Sequence, residues 1–267
     1  MTEDFKIELF DNTQDPYFLA KKLSVAFPQR SAEFFLKGIN KLNSVDSCLC
    51  ILKLHNTVVG SVFLYNIYGY PGSVWSPSYL FVDKIARGLS LIFLMNSLRK
   101  RSRLSLDVSP TNEVKTLLSG LKFKQINNGS LLIPLLIQRF PFKSRYGLRN
   151  YLEISSSPSE RFKDRADLIW YRYNQVCSNG SVCVKKTSRM GLPFFILVYF
   201  PKDHFSAILP SLVFELSGIN IFSTLVIPDF NLDHPFYSIK TCKFHSFSNF
   251  HLDLMYSILG SEVTELI

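Results

Sequence analysis

Two places in the sequence combine residue types suited to group-transfer chemistry. The first is Arg87-Gly88 within FVDKIARGLSLIFLMNSLRKR (81–101), which reads as a strand end, a short basic turn and an amphipathic helix. A helix start offers unpaired amides and the positive end of the helix dipole. The amides of Gly88, Leu89 and Ser90 would therefore suit an anion such as a phosphate, and Arg87 would add a charge-assisted contact. The same residues also serve as a plain helix start with a surface charge. The second place is Asp107 in RLSLDV (103–108), where Arg103, Ser105 and Asp107 alternate with Leu104, Leu106 and Val108. Asp107 is thus expected on the polar face of a strand, near the end where substrates of open sheets gather. A carboxylate there could take a proton from an acceptor amine or hydroxyl, or be an ordinary surface charge.

Other clusters carry less. The basic run RKRSR (99–103) begins twelve residues after Arg87, about 18 Å along a helix at ~1.5 Å per residue. Its side chains complement the C-terminal dipole, and no neighbouring aromatic pattern suggests stacking on bases, so nucleic acid is not an expected partner. Asp229, Asp233, His234, His245, His251 and Asp253 gather late in the chain without HxH or HxxxH spacing, so no metal is expected. A His-Asp general base from this region stays open. No GxSxG is present. Cys48, Cys50, Cys177, Cys183 and Cys242 are odd in number and form no CxxC, so reduced thiols are expected.

The elements that must hold these residues are legible from periodicity and turn chemistry. FKIELF opens as a strand; Asp15 and Pro16 begin a helix, and Ser31 caps a second. SCLCILKL and VVGSVFLY form a hairpin across His55-Asn56-Thr57. PSYLFV, the helix after Arg87, RLSLDV, the helix in TNEVKTLLSG and LKFKQI complete the order β-α-α-β-β-β-α-β-α-β, an α/β sheet of mixed direction. The second half repeats part of this. At a shift of 134, AEFFLKGINKL (32–42) lies over ADLIWYRYNQV (166–176) and the hairpin over 181–199, predicting a second helix plus hairpin. At a shift of 118, LSLDVSP lies over FSTLVIP, and Leu94 and Leu98 over Leu212 and Leu216. LKFK and CKFH (242–245) could be equivalent strand starts.

The 267 residues are 47% hydrophobic and 19% charged, enough apolar material for two ordinary cores, with 24 Phe and 12 Tyr. A net charge of +9 suits a polyanionic partner. The acidic N-terminus lacks a signal-peptide core. LLIPLLI and GLPFFILVYFP fall short of the ~20 residues a spanning helix needs, so a soluble cytoplasmic protein without a membrane span is expected.

SYLFVDKIARGLSL and SPTNEVKTLLSGLKF together resemble the GCN5-related N-acetyltransferase superfamily. The first is similar to its strand and Arg/Gln-x-x-Gly-x-Gly/Ala turn, the second to its N-x-x-A-x-x-L-Y-x-x-x-G-F helix and strand, with Asn112 at the opening position. The resemblance implies an α/β fold of two such mixed-sheet units in tandem, residues 1–137 and 161–267 joined by a linker at 138–160, the second unit degenerate. It implies acetyl-CoA or another acyl-CoA as co-substrate, held by Arg87, Gly88, Leu89, Ser90 and Asn112. Backbone amides near Phe81 and Val82 would polarise the thioester carbonyl. SYLFVDKIARG, SPTNEV and DLMYSILGSE also look like tandem proteins encoded among bacterial surface-polysaccharide genes, which implies a small-molecule or glycan-precursor acceptor. Ser90 stands where the turn pattern has Gly, Ile92 where it has Gly or Ala, Leu118 where many members carry a Tyr acid, and Lys122 where the pattern has Gly. These departures leave open a non-catalytic binding or regulatory module. The tandem build and the charge leave open an aminoacyl-tRNA-dependent aminoacyl transferase.

Overall fold

The fold is that of a computed structural model, which describes residues 5–11, 14–42, 45–69, 73–101, 104–107, 111–137, 152–175, 178–189, 191–201, 205–229, 239–240, 244–248 and 255–257. The chain divides into two compact units, one of residues 1–126 with 246–251 and 260–267, the other of 127–245 with 252–259.

In the first unit the elements follow the order expected from sequence. They are β1 (Phe5–Leu9), α1 (Pro16–Ala26), α2 (Ala32–Asn40), β2 (Ser47–Leu54), β3 (Thr57–Asn66), β4 (Val74–Val82), a 3-10 turn (Lys84–Leu89), α3 (Ser90–Arg99), β5 (Leu104–Asp107) and α4 (Asn112–Gly120). The caps are the predicted ones. Asp15 accepts the Tyr17 amide with Pro16 at the first helical position, and Ser31 Oγ accepts the Phe34 amide at 3.1 Å. His55 and Asn56 both adopt positive φ, 48° and 64°, which is the two-residue hairpin turn. The sheet runs β1-β2-β3-β4-β5, and a late strand, β13 (Phe244–Ser248), joins its edge by pairing Phe247 with Asp107 and Ser248 with Leu106. Alternation along β2 splits its side chains between two cores. Leu49 and Ile51 pack with Leu19, Leu23 and Phe35 of α1 and α2, while Cys48, Cys50 and Leu52 pack with Phe93, Leu94 and Leu118 of α3 and α4.

The second unit contains β6 (Lys124–Pro134, from residue 127 on), β7 (Leu152–Ser155), a 3-10 turn (Glu160–Phe162), β8 (Leu168–Gln175), β9 (Ser178–Arg189), β10 (Leu192–Pro201), α5 (Phe205–Ile219), β11 (Thr224–Asp229), β12 (Ile239–Lys240) and β14 (Met255–Ser257). Its sheet runs β7-β8-β9-β10-β11-β6. Parallel β10 and β11 are joined through α5, as β4 and β5 are through α3. The strands that begin at Lys124 and Phe244 hold corresponding positions in the two strand orders, β6 beside β11 and β13 beside β5.

The expected helix over 166–176 does not form. Residues 168–175 are strand β8, paired with β7 on one side and β9 on the other. Its sequence LIWYRYNQ is rich in aromatic and β-branched residues, with Trp170, Tyr171 and Tyr173 all buried, and strand pairing on both sides decides the outcome. By strand order β8 corresponds to β2, so the hairpin at 178–201 matches β3 and β4 rather than β2 and β3. Only a 3-10 turn stands between β7 and β8, where the first unit has α1 and α2.

Candidate functional site: a gap between parallel strands

Among the described residues strands β4 and β5 pair at two positions, Val74 with Leu104 and Trp75 with Ser105, although β4 continues to Val82. The cause is in the sequence of β4. The Ile67 amide donates to the Val74 carbonyl at 2.7 Å, which sets the alternation: Ser76 and Ser78 turn their backbone groups to β3, Trp75 and Pro77 toward β5. Pro77 has no amide hydrogen, so the parallel ladder ends there. Beyond it β4 bulges. Tyr79 and Leu80 together face Val62, and Tyr79 takes φ 48°. Such a conformation costs an ordinary residue about 1 kcal/mol. The Tyr79 ring offsets this by packing edge-on against Phe27 and Phe35, each with ring centroids 5.1 Å away.

Past the bulge the Asp83 amide donates to the Val59 carbonyl at 2.7 Å. Alternation then directs the backbone of Phe81 to β3 and that of Val82 into the gap, where no strand pairs with it among the described residues. Of the two residues whose amides were singled out, Val82 turns its backbone into the gap and Phe81 turns its own to β3. The strand end is tied down by α1: Lys22 Nζ bonds to Asp83 Oδ2 at 2.7 Å and to the Val58 carbonyl, with its ammonium 5.6 Å from the centre of the Phe81 ring.

The turn after β4 differs in detail from the expected helix start with unpaired amides. Residues 84–89 wind as a 3-10 helix that runs directly into α3, so the amides of Gly88 and Leu89 lie inside its ladder. The Ser90 amide bonds to the Arg87 carbonyl, and Ser90 Oγ donates to the same oxygen at 2.8 Å. The three amides named from sequence are therefore engaged. Ala86 donates to Asp83, which leaves Lys84 and Ile85, at the start of the turn, as amides with no ladder carbonyl. No sequence signal separates the two arrangements, because Gly favours both. Arg87 and Gly88 are exposed, and a Cβ on Gly88 would meet nothing within 4 Å.

Asp107 ends β5, three residues beyond Leu104 and within the stretch that has left β4. It is 7% exposed, which overturns the surface-charge alternative. Asn112 is exposed on the first turn of α4, with Oδ1 accepting from Lys115 Nζ at 3.3 Å. Lys122 has φ 64°, which explains the Gly of the pattern at that position. Leu118 is wholly buried in the core cluster with Trp75 and Phe93.

At the far end of α3, Arg101 is not a solvating charge. Its guanidinium lies 5.4 Å from the centre of the Trp75 ring, and its Nε donates to Cys48 Sγ at 3.0 Å. In the second unit the described strands leave no equivalent gap. Parallel pairing of β10 and β11 ends at Ile196 with Val226, and β14 then pairs with β10 from Tyr199 to Pro201. Tyr199 pairs with Cys183 of β9 on its other side, so β14 occupies the β11 side of β10. No cluster of three or more metal-ligating side chains occurs among the described residues; Asp233, His234, His251 and Asp253 lie outside them. No described helix is long and apolar enough to cross a membrane.

No protein-family model and no curated protein matches the sequence. Solved structures do match. A GCN5-related N-acetyltransferase from Anabaena variabilis ATCC 29413 is 10% identical with a TM-score of 0.60, over 91% of this chain and 72% of that one. A GCN5-related N-acetyltransferase from Kribbella flavida is 12% identical with a TM-score of 0.54, over 92% of this chain and 71% of that one. A GCN5-related glucosamine N-acetyltransferase region of a fungal multi-domain GH3 β-N-acetylglucosaminidase is 10% identical with a TM-score of 0.55, over 93% of this chain and 38% of that one. The chain has the mixed α/β fold of these GCN5-related N-acetyltransferases.

Proposed function

We propose that the first unit binds an acyl-CoA in the gap between β4 and β5 and that the protein transfers the acyl group to an amine or hydroxyl. The observation that carries this is the parting of β4 from β5 after Pro77, with the Val82 amide directed into the gap. The co-substrate supplies an activated thioester. Val82 donates a hydrogen bond toward its carbonyl oxygen, and Phe81 positions that amide through its bonds to β3. Arg87, with the turn surface at Gly88, Leu89 and Ser90 and the opening amides of Lys84 and Ile85, holds the phosphates, and Asn112 flanks them from α4. Asp107 takes the proton of the acceptor. No side chain is assigned to protonate the thiolate, whose conjugate acid has a pKa of roughly 8.5, so its unassisted departure is only mildly uphill. A small molecule or glycan precursor is the acceptor class. An amino sugar comes first, because the glucosamine N-acetyltransferase region shares the fold.

The engaged amide of Ser90 and the buried Leu118 favour a second reading, a binding module that keeps the co-substrate site without turnover. One experiment separates the two. CoA and acetyl-CoA are tested for a rise in melting temperature, and CoA release is then followed across amino-sugar and amine acceptors for wild type and Asp107→Asn. Saturation at ~100 times Kd stabilises by about 2.7 kcal/mol. Acceptor-dependent release that Asp107→Asn removes, with binding retained, supports transfer. Binding with no acceptor-dependent release supports the module, and no shift with either compound at millimolar concentration rejects both.

A further inference from the structure

A cavity of about 520 Å³ lies where β1 stops and β2 begins, with Phe10, Ile39 and Leu42 among its apolar walls and Gln14, Cys48 and Arg101 among its polar ones. It belongs to the opposite end of the first unit from the Val82 gap. Arg101 stacks on Trp75, and Trp75 to Val82 spans seven residues of strand, roughly 23 Å at ~3.3 Å each. Within the cavity wall Cys48 Sγ accepts the Arg101 Nε hydrogen bond at 3.0 Å. Cys50 lies two residues on and so on the same face of β2. The neighbouring Cys50 thiol and the Arg101 charge outweigh burial and bring the Cys48 thiol down to about 7. Cys50 is pushed up by the neighbouring Cys48 and by burial, and Cys183 is pushed up by burial, so both stay protonated. Among the described residues Arg101 is the one charged residue lining the cavity, where Asn40 and Ser47 are neutral; Lys100 acts on Cys50.

We propose that Cys48 is a modification site, a nucleophilic thiolate that small peroxides reach through this cavity. The sulfur attacks one peroxide oxygen. The S–O bond forms as the O–O bond breaks, the sulfur is oxidised to sulfenic acid and the peroxide is reduced. The leaving hydroxide takes a proton from solvent and departs as water. Arg101 stabilises the charge on the leaving oxygen. Cys48 is 6% exposed and Cys50 wholly buried, so the cavity is the route of access and only the first sulfur borders it.

The test uses the full chain. Hydrogen peroxide is added with dimedone, and the adduct is mapped by peptide mass spectrometry; it is expected on Cys48 and not on Cys50 or Cys183. Alkylation of Cys48 by iodoacetamide is then followed from pH 5.5 to 9.5. A midpoint near 7 is expected, moved up by about one unit in both Arg101→Met and Cys50→Ala, as loss of a nearby charge or hydrogen bond does. Cys50→Ala leaves the Arg101 stacking intact, so the shift is readable even if Arg101→Met folds poorly. The proposal is overturned if Cys48 is labelled only after unfolding in urea, if another cysteine takes the dimedone in its place, or if the midpoint lies near 8.5 in all three proteins.

Discussion

Replacing Gly88 by Ala should move stability and co-substrate binding in opposite directions. Gly88 sits inside the 3-10 turn, its φ lies outside the left-handed range, and an added Cβ meets no atom within 4 Å. The methyl therefore costs the fold nothing by contact and removes unfolded-chain freedom, a gain of about 0.4–1 kcal/mol. For a chain of this size that is a rise of roughly 1–4 °C in melting temperature. The same methyl projects into the open space that the phosphates of an acyl-CoA would have to cross. Crowding by one such group costs about 1–3 kcal/mol, or roughly a 5- to 150-fold weaker Kd. Differential scanning fluorimetry of the free protein and calorimetric titration with CoA measure the two halves separately. Arg87→Glu should abolish binding, while Arg99→Glu, exposed near the other end of α3, should keep most of it. A Gly88→Ala protein that binds CoA as tightly as wild type would remove the turn from the site. One that melts lower would show that the fold, not a ligand, requires the glycine.

Three further outcomes follow from packing and charge. Gly180→Ala should destabilise by about 1–3 kcal/mol, seen as a lower urea midpoint, because its Cβ would fall 2.1 Å from the hydroxyl oxygen of Tyr173, whose ring is buried. Leu118→Tyr should lower the melting temperature by a similar free energy and leave CoA release no faster, since its side chain is wholly enclosed; a faster, equally stable variant would restore Leu118 to the site. The Arg165 guanidinium, bonded to both Asp167 oxygens at 2.7 Å, holds that carboxyl below its ordinary range. A depressed carboxylate contributes stability above the unfolded value of ~3.9 and loses it as pH falls through the lower folded value. Asp167→Asn should therefore lower the urea midpoint at pH 7 and flatten its decline below pH 4, and identical acid profiles for both proteins would refute this.

Much of the first unit was legible because its signals are local. Asp15-Pro16, Ser31 and the His55-Asn56 turn each settle a chain reversal or a helix start within a few residues, and periodicity fills the elements between. Pro77 opens its strand as read from sequence, and the structure extends that strand back to Val74, so the proline sits inside it and removes one ladder donor. The register of β3 against β4 turns the missing donor toward β5. The 166–176 segment shows the opposite case. Matching residue types to 32–42 suggested a helix, and partners on both sides made it a strand.

By itself the sequence determined the α/β order, the caps, the Arg87-Gly88 turn at the head of α3 and the positions of Asp107 and Asn112. Tertiary structure decided everything that depends on which strand lies beside which. Long-range pairing put β13 on β5 and β6 on β11, buried Asp107, and laid β14 along β10 where a second gap would otherwise stand. It also joined Arg101 to Cys48, 53 residues apart in the chain. The reason is physical: a cap or a turn is satisfied by its own neighbours, whereas a backbone edge or a buried charge is satisfied only by whatever the folded chain brings to it.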